Sequence, residues 1–197
     1  MCLSVKLQQH NIILIGKDYK MKHIMLDLET MGKTSQAAII AVGAVKFDIT
    51  KGILDSFYEV VDLESSCSLG GVIDTSTILW WLSQDKVAKD FITVKGKYIS
   101  DVLQLFSEWV GDEEFCVWGN GAAFDNAILS SAYLRASKKQ PWKFWNDRCY
   151  RTLKSLYPDV KLNRVGVHHN ALHDATSQAI HLIEILKVME IKNELTT

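Results

Sequence analysis

Between Lys22 and Val61 three strand-like segments follow one another, and the gap between the second and third is five residues. Lys22 to Leu28, Ala37 to Phe47 and Ile53 to Val61 are rich in β-branched and aromatic residues, and Asp48-Ile49-Thr50-Lys51-Gly52 reads as a hairpin turn. A connection that short returns the chain antiparallel to itself. Downstream the pattern changes. Asp74 opens a helix carrying Ile78, Leu79, Trp80 and Trp81, and Ser100 is placed to cap another through Leu103, Phe106 and Trp109. Phe115 to Trp118 is a short buried strand, followed by helices over Phe124–Ala136 and Asn170–Met189. The last of these sets Ala171, Ala175, Ala179, Leu182, Ile183 and Leu186 on one apolar face. Three strands, then alternating helices and a strand, predict an α/β fold: a mixed sheet with helices on both faces.

The 197 residues suit one domain with a substantial core, since 48% of them are hydrophobic and only two are proline, which excludes disorder and coiled coil. Cys2, Cys67, Cys116 and Cys149 form no C-x-x-C pair and no zinc spacing, so a reduced, cytoplasmic protein is expected. No apolar run is long enough to cross a bilayer, and Asn11–Gly16 is too short for an export signal. Residues 1–20 read as a leader or N-terminal extension, with Met21 as the functional start, 21–190 as the working domain and 191–197 as a tail. The rival view of the leader is an added edge strand from Ile12 to Ile15.

Residues 23–36, H-I-M-L-D-L-E-T-M-G-K-T-S-Q, hold two overlapping chemistries. Gly32-Lys33-Thr34 resembles the end of a phosphate-binding loop, but that motif needs a glycine five residues earlier, where Asp27 stands and would repel phosphate. Asp27 and Glu29 instead lie two apart on a strand and so share one face. Two like charges side by side call for a cation, and a hard divalent ion with oxygen ligands supplies one. The plainer alternative is a strand end with two solvated acids.

Asp125, in W-G-N-G-A-A-F-D-N-A-I-L, follows a strand and starts a helix, where exposed N–H groups favour an acid. Asp174, in H-H-N-A-L-H-D-A, lies in the first turns of the last helix if Asn170 caps it. His169 is five residues before Asp174 and comes off the loop ahead of the cap. The net charge is −1, yet Leu134–Arg164 carries nine basic residues against Asp147 and Asp159, which is +7 and leaves −8 for the remainder. Trp142, Phe144, Trp145, Tyr150 and Tyr157 are interleaved with those bases, a mixture that neutralises phosphates and stacks bases, or else a solvated basic face over core aromatics.

In order, D-x-E, F-D and H-x-x-x-x-D resemble the three motifs of the DEDDh, or DnaQ-like, 3′–5′ exonucleases on a ribonuclease-H-like fold. Asp27-Leu-Glu-Thr, Asn120-x-x-x-Phe124-Asp125 and His169-Asn-Ala-Leu-His-Asp174-Ala carry the resemblance, which extends from Met21 to Glu190. Leu28-Glu29-Thr30-Met31-Gly32 and Thr77-Ile-Leu-Trp80-Trp81 are similar to phage-type and exodeoxyribonuclease VIII-like proteins, some of whose relatives act on RNA. The resemblance implies a sheet that is antiparallel in its first three strands and parallel after them. It implies two Mg2+ or Mn2+ ions held by Asp27, Glu29, Asp125 and Asp174, His169 as general base, and release of nucleoside 5′-monophosphates. The substrate is expected to be single-stranded DNA, with RNA as the alternative, and Leu28, Thr30, Met31, Trp80, Trp81, Asn120 and Phe124 to line its path. Trp80 and Trp81, adjacent on a helix, cannot both be buried on one side: one packs and the other stacks on a base. His168 and His173 do not match the base position, and ribonuclease T-like relatives imply a homodimer. Two rivals are a D-x-D phosphatase, which fails on Glu29, and a catalytically dead nucleic-acid-binding module on the same fold.

Overall fold

The computed structural model describes residues 22–84 and 94–194. The predicted leader, with the alternative strand Ile12–Ile15, lies outside the described residues. The opening strands form as β1 (Lys22–Thr30), β2 (Ile39–Asp48) and β3 (Gly52–Val60), antiparallel in sequence order. Asp48 builds the hairpin: its Oδ1 accepts from the Thr50 and Lys51 amides at 2.8 and 2.9 Å, and Gly52 takes the left-handed backbone (φ 83°) that closes the turn. β4 (Phe115–Gly119) then pairs parallel to β1, and β5 (Asp147–Cys149) parallel to β4. The sheet order is β3-β2-β1-β4-β5.

Among the described residues the helices are α1 (Leu63–Ser68), α2 (Thr75–Ser83), α3 (Ile99–Val110), α4 (Asp125–Arg135), α5 (Tyr150–Leu156) and α6 (Ala171–Glu194). Alternation along β1 sends its residues to two cores. Ile24, Leu26 and Leu28 meet Val102, Leu103 and Phe106 of α3 and Ile128, Leu129 and Ala132 of α4. Met25, with Val45 and Phe47 of β2, meets the Ala175, Ala179 and Leu182 stripe of α6. Asp27 and Glu29 continue the Met25 face, so the sheet presents both acids towards α6. Gly43 sits directly across from Asp27. A Cβ there would stand 2.2 Å from the Ala171 carbonyl carbon and 2.3 Å from the Leu172 nitrogen, so the first turn of α6 lies on the sheet only because this strand position has no side chain.

Several expectations are corrected. Ser100 does not cap α3; Tyr98 precedes the helix without a side-chain cap, and the Ile99 amide is satisfied by Ser65 Oγ at 3.0 Å. The short elements α1, β5 and α5 were not anticipated, because three to seven residues are too few to show a period. The last helix, expected over Asn170–Met189, runs from Ala171 to Glu194 as α6. The basic, aromatic segment is not one surface. Trp142 and Tyr150 are core side chains, Arg135 is tied to Leu69 O and Ser131 Oγ, Lys138 to Gln104, and Lys143 pairs with Glu114. Phe144 and Trp145 are exposed, but they precede β5, which starts level with Val117, and so stand at the end of the sheet opposite Asp125. Gly32-Lys33-Thr34, which Asp27 already excludes as a phosphate loop, is held otherwise: the Ala37 amide donates to Thr34 O, and Lys33 bonds Ser76.

Candidate active site

β4 pairs with β1 only as far as Gly119 opposite Leu26, and then turns away. The Leu28 amide on that edge of β1 is thereby left without a strand partner, and Asp125 Oδ1 accepts from it at 3.3 Å. One carboxylate is thus drawn in beside the strand that carries Asp27 and Glu29. From the other side, the close seat of α6 over Gly43 brings in Asp174. One carboxylate oxygen from each of Asp27, Glu29 and Asp174 lies within 4.8 Å of the others. Glu29, Asp125 and Asp174 are buried, and Asp27 is partly so.

Asp27, Glu29 and Asp125, gathered in this way, resist ionisation. Burial first, then the charges of Asp125 and Glu29, push Asp27 well above the usual carboxylate range, although a hydrogen bond from Gln178 works against them. Burial, then Asp174 and Asp125, push Glu29 up to about 8. Burial raises Asp125 to about 7 against the backbone amides that hold its oxygens. A divalent cation placed among them would relieve this repulsion.

Asp174 has both oxygens engaged by the chain itself. Oδ1 pairs with the half-exposed Arg164 at 2.5 Å, and Oδ2 accepts from the His169 amide at 2.9 Å. His169 reaches this position by adopting φ 62°, a left-handed conformation uncommon outside glycine. Asn170 follows as the expected cap, its Oδ1 accepting from the His173 amide at 3.1 Å. The imidazole of His169 stands edge-on to Trp80, with centroids 4.9 Å apart, and is stacked on His168 at 3.8 Å.

Among the substrate residues expected from sequence, the two tryptophans differ in burial. Trp81 is 1% exposed and donates its indole N–H to Thr30 O at 3.0 Å, whereas Trp80 is 41% exposed beside His169. Trp81 is buried, as are the side chains of Leu28, Thr30 and Met31. Asn120 and Phe124 remain partly accessible. His173 accepts from the Val167 amide and fastens the loop ahead of α6. Sequence reasoning missed four residues. Gln178, one turn beyond Asp174, donates to Asp27 Oδ1 at 2.8 Å, and its own Oε1 is buried with no partner among the described residues. Its signal was the i, i+4 spacing from Asp174. Gly43 was legible as a glycine inside a strand. Arg164 and Arg151, the latter bonded to Asn120 O at 2.7 Å, were counted as basic residues but nothing local tied them to the acids.

A mixed sheet in this order, with the acids and a histidine at the carboxyl end of its central strand, places the chain in the class of DEDDh nucleases on a ribonuclease-H-like fold. The nuclease domain of 3′hExo, a DEDDh family member solved with rAMP bound, superposes with a TM-score of 0.58 at 16% identity, over 84% of this chain and 92% of that one. Escherichia coli exonuclease I bound to a dA16 oligonucleotide gives 0.58 at 12% identity over 86% of this chain, which spans only 41% of the exonuclease I chain. In sequence the chain is 28% identical over 156 residues to an exodeoxyribonuclease of Enterobacteria phage T4, covering 65% of this chain and 68% of that protein. The family model of the 3′–5′ exoribonuclease Rv2179c-like domain matches residues 22–186, and the chain belongs to that family. It is a 3′–5′ exonuclease of the DEDDh type. Among the described residues no helix is long and apolar enough to cross a membrane.

Proposed function

We propose that this exonuclease hydrolyses single-stranded DNA from its 3′ end, releasing nucleoside 5′-monophosphates, with two Mg2+ or Mn2+ ions and His169 as general base. The convergence of Asp27, Glu29 and Asp174 oxygens within 4.8 Å, with Asp125 alongside and His169 at the rim, carries this reading. The residues fit the ions: the donors are all carboxylate oxygens, suited to a hard cation, and their mutual repulsion is what a cation relieves. Asp27, Glu29 and Asp174 would hold one ion, and Asp27 with Asp125 the other. When bound, such a pair activates water and stabilises the attacking and leaving oxygens of an in-line displacement.

The chain's own groups supply the rest. Gln178 fixes one oxygen of Asp27, so the carboxylate keeps its orientation as its charge is drawn on. His169, its backbone tied to Asp174 and its ring held by Trp80, accepts the proton of the attacking water as the phosphorus–O3′ bond breaks. Trp80 offers an aromatic face for the terminal base, worth roughly 1–3 kcal/mol if stacked. Phe124, packed against the core, and Asn120 are partly accessible on the chain that leads to Asp125. The working domain in this reading is residues 21–190.

The relation to the T4 exodeoxyribonuclease supports DNA. The family description supports RNA as a second reading, with the same site. Digestion of end-labelled single-stranded DNA, duplex DNA and RNA with Mn2+ decides between them. Fastest loss of the 3′ end of single-stranded DNA is expected, and faster digestion of RNA transfers the reading to the exoribonuclease.

A further inference from the structure

Asp174 belongs to two sets of three ligands. With Asp27 and Glu29 it offers only oxygens; with His168 and His169 it completes a set of two imidazole nitrogens and one carboxylate oxygen. In each set the ligand atoms lie within 4.8 Å of one another. His168 has no part in the hydrolysis proposed above, yet its exposed ring is stacked on His169 with centroids 3.8 Å and planes 28° apart. Both rings are carried by a turn tied to the helix that carries Asp174, through the His169 amide to Asp174 and the Asn170 cap to His173.

The two sets differ in chemical taste. Carboxylates alone suit Mg2+ and Mn2+, whereas imidazoles with one carboxylate suit Zn2+, the stronger binder at nitrogen. Tetrahedral zinc with bonds of about 2.0–2.1 Å separates its ligand atoms by about 3.3 Å, so the set has at most about 1.5 Å to close. The exposed His168 ring can close it by rotating about its own side-chain bonds. We propose that His168, His169 and Asp174 form an inhibitory Zn2+ site, which rests on the roles given to His169 and Asp174 in hydrolysis. Zinc there takes the nitrogen lone pair that would accept the water's proton, and diverts Asp174 from the all-oxygen set. Micromolar zinc then silences an enzyme fully supplied with magnesium or manganese.

The test is calorimetric titration of Zn2+ into the metal-free full chain, paired with Zn2+ inhibition of Mn2+-supported digestion of an oligonucleotide. His168→Ala and His168→Phe are compared with the parent, the second because it keeps a stacked ring and removes the nitrogens. Both variants are expected to keep the parent kcat and KM with Mn2+, to bind Zn2+ at least tenfold more weakly and to need at least tenfold more Zn2+ for half inhibition. Equal Zn2+ affinity, or equal inhibition of parent and variants, places the ion among Asp27, Glu29 and Asp174 and overturns the site. A parent chain without Mn2+-dependent digestion overturns the proposed hydrolysis, while the calorimetry still reads the zinc ligands.

Discussion

Replacing Gly43 by alanine adds one methyl group where β2 passes beneath the start of α6. The new Cβ falls 2.2 Å from Ala171 C, 2.3 Å from Leu172 N and 2.5 Å from Ala171 O, all backbone atoms that cannot rotate away. Ordinary contact begins at 3.4 Å, so relief requires a shift of about 1.2 Å. β2 is paired on both sides, to β1 and β3, and gives less readily than the end of a helix. The first turn of α6 therefore lifts and takes Asp174 away from Asp27 and Glu29. Overpacking of this kind costs roughly 1–3 kcal/mol. At about 2–4 °C per kcal/mol, that lowers Tm by roughly 2–12 °C. A misplacement of about 1 Å in a reacting geometry costs on the order of 100-fold in rate. Purified Gly43→Ala is compared with the parent by circular-dichroism melting, Mn2+ titration and digestion of a labelled single strand. A folded protein with a lower Tm, weaker Mn2+ binding and a rate down by about two orders of magnitude is expected. Gly52→Ala, strained at φ 83° but in open space on the distant hairpin, should lower Tm without lowering the rate per folded molecule. If Gly43→Ala keeps Mn2+ affinity and rate within twofold, the seat of α6 does not set the position of Asp174.

Three further outcomes follow from the same geometry. His169→Ala should lose roughly 10²–10⁴-fold in kcat, while His168→Ala keeps the parent rate in zinc-free buffer; a reversed order would assign the base to the wrong histidine. Trp80→Ala should raise KM by roughly 5- to 150-fold, the equivalent of about 1–3 kcal/mol of stacking, with a smaller change in kcat, and an unchanged KM would leave Trp80 as a prop for His169. Because Glu29 is raised to about 8 and Asp125 to about 7, the folded metal-free chain holds protons that the unfolded chain releases above the ordinary carboxylate range. Stability from these groups is complete at acid pH and is lost as pH rises towards 8, by at most about 1.4 kcal/mol per unit per group, and Mn2+ restores it most strongly at the alkaline end. Tm measured from pH 5 to 8 in EDTA should fall more steeply for the parent than for Glu29→Gln, and parallel curves would contradict the assigned burial of Glu29.

Legibility in the sequence followed the length over which a physical signal repeats. β1, β2, β3 and α6 carry nine or more residues each, and their periodicity and turn chemistry placed them within a few residues. Asp27 and Glu29 were assigned a common face by the two-residue period alone, and Asn170 was legible as a cap by its side chain. What escaped was what depends on tertiary approach. Arg164 meets Asp174 across a loop whose path no local rule fixes, and Asp125 meets Leu28 N only because β4 stops at Gly119. The basic segment misled for the same reason: charge spacing along the chain does not say that Trp142 and Tyr150 turn inward, or that Phe144 and Trp145 sit at the far end of the sheet.

The central claim is that Asp27 lies between two ions. Asp27→Asn removes one charge from the strand, keeps the side-chain shape and leaves an amide oxygen towards Gln178, so the fold should survive. Mn2+ binding to the metal-free chain, counted by calorimetry in parent and variant beside the rate of 3′-end digestion, tests the claim most directly. Two Mn2+ per parent chain, loss of high-affinity binding in a folded Asp27→Asn, and no measurable digestion are expected. A folded variant that binds two Mn2+ as tightly as the parent, or digests the strand at the parent rate, would contradict the claim.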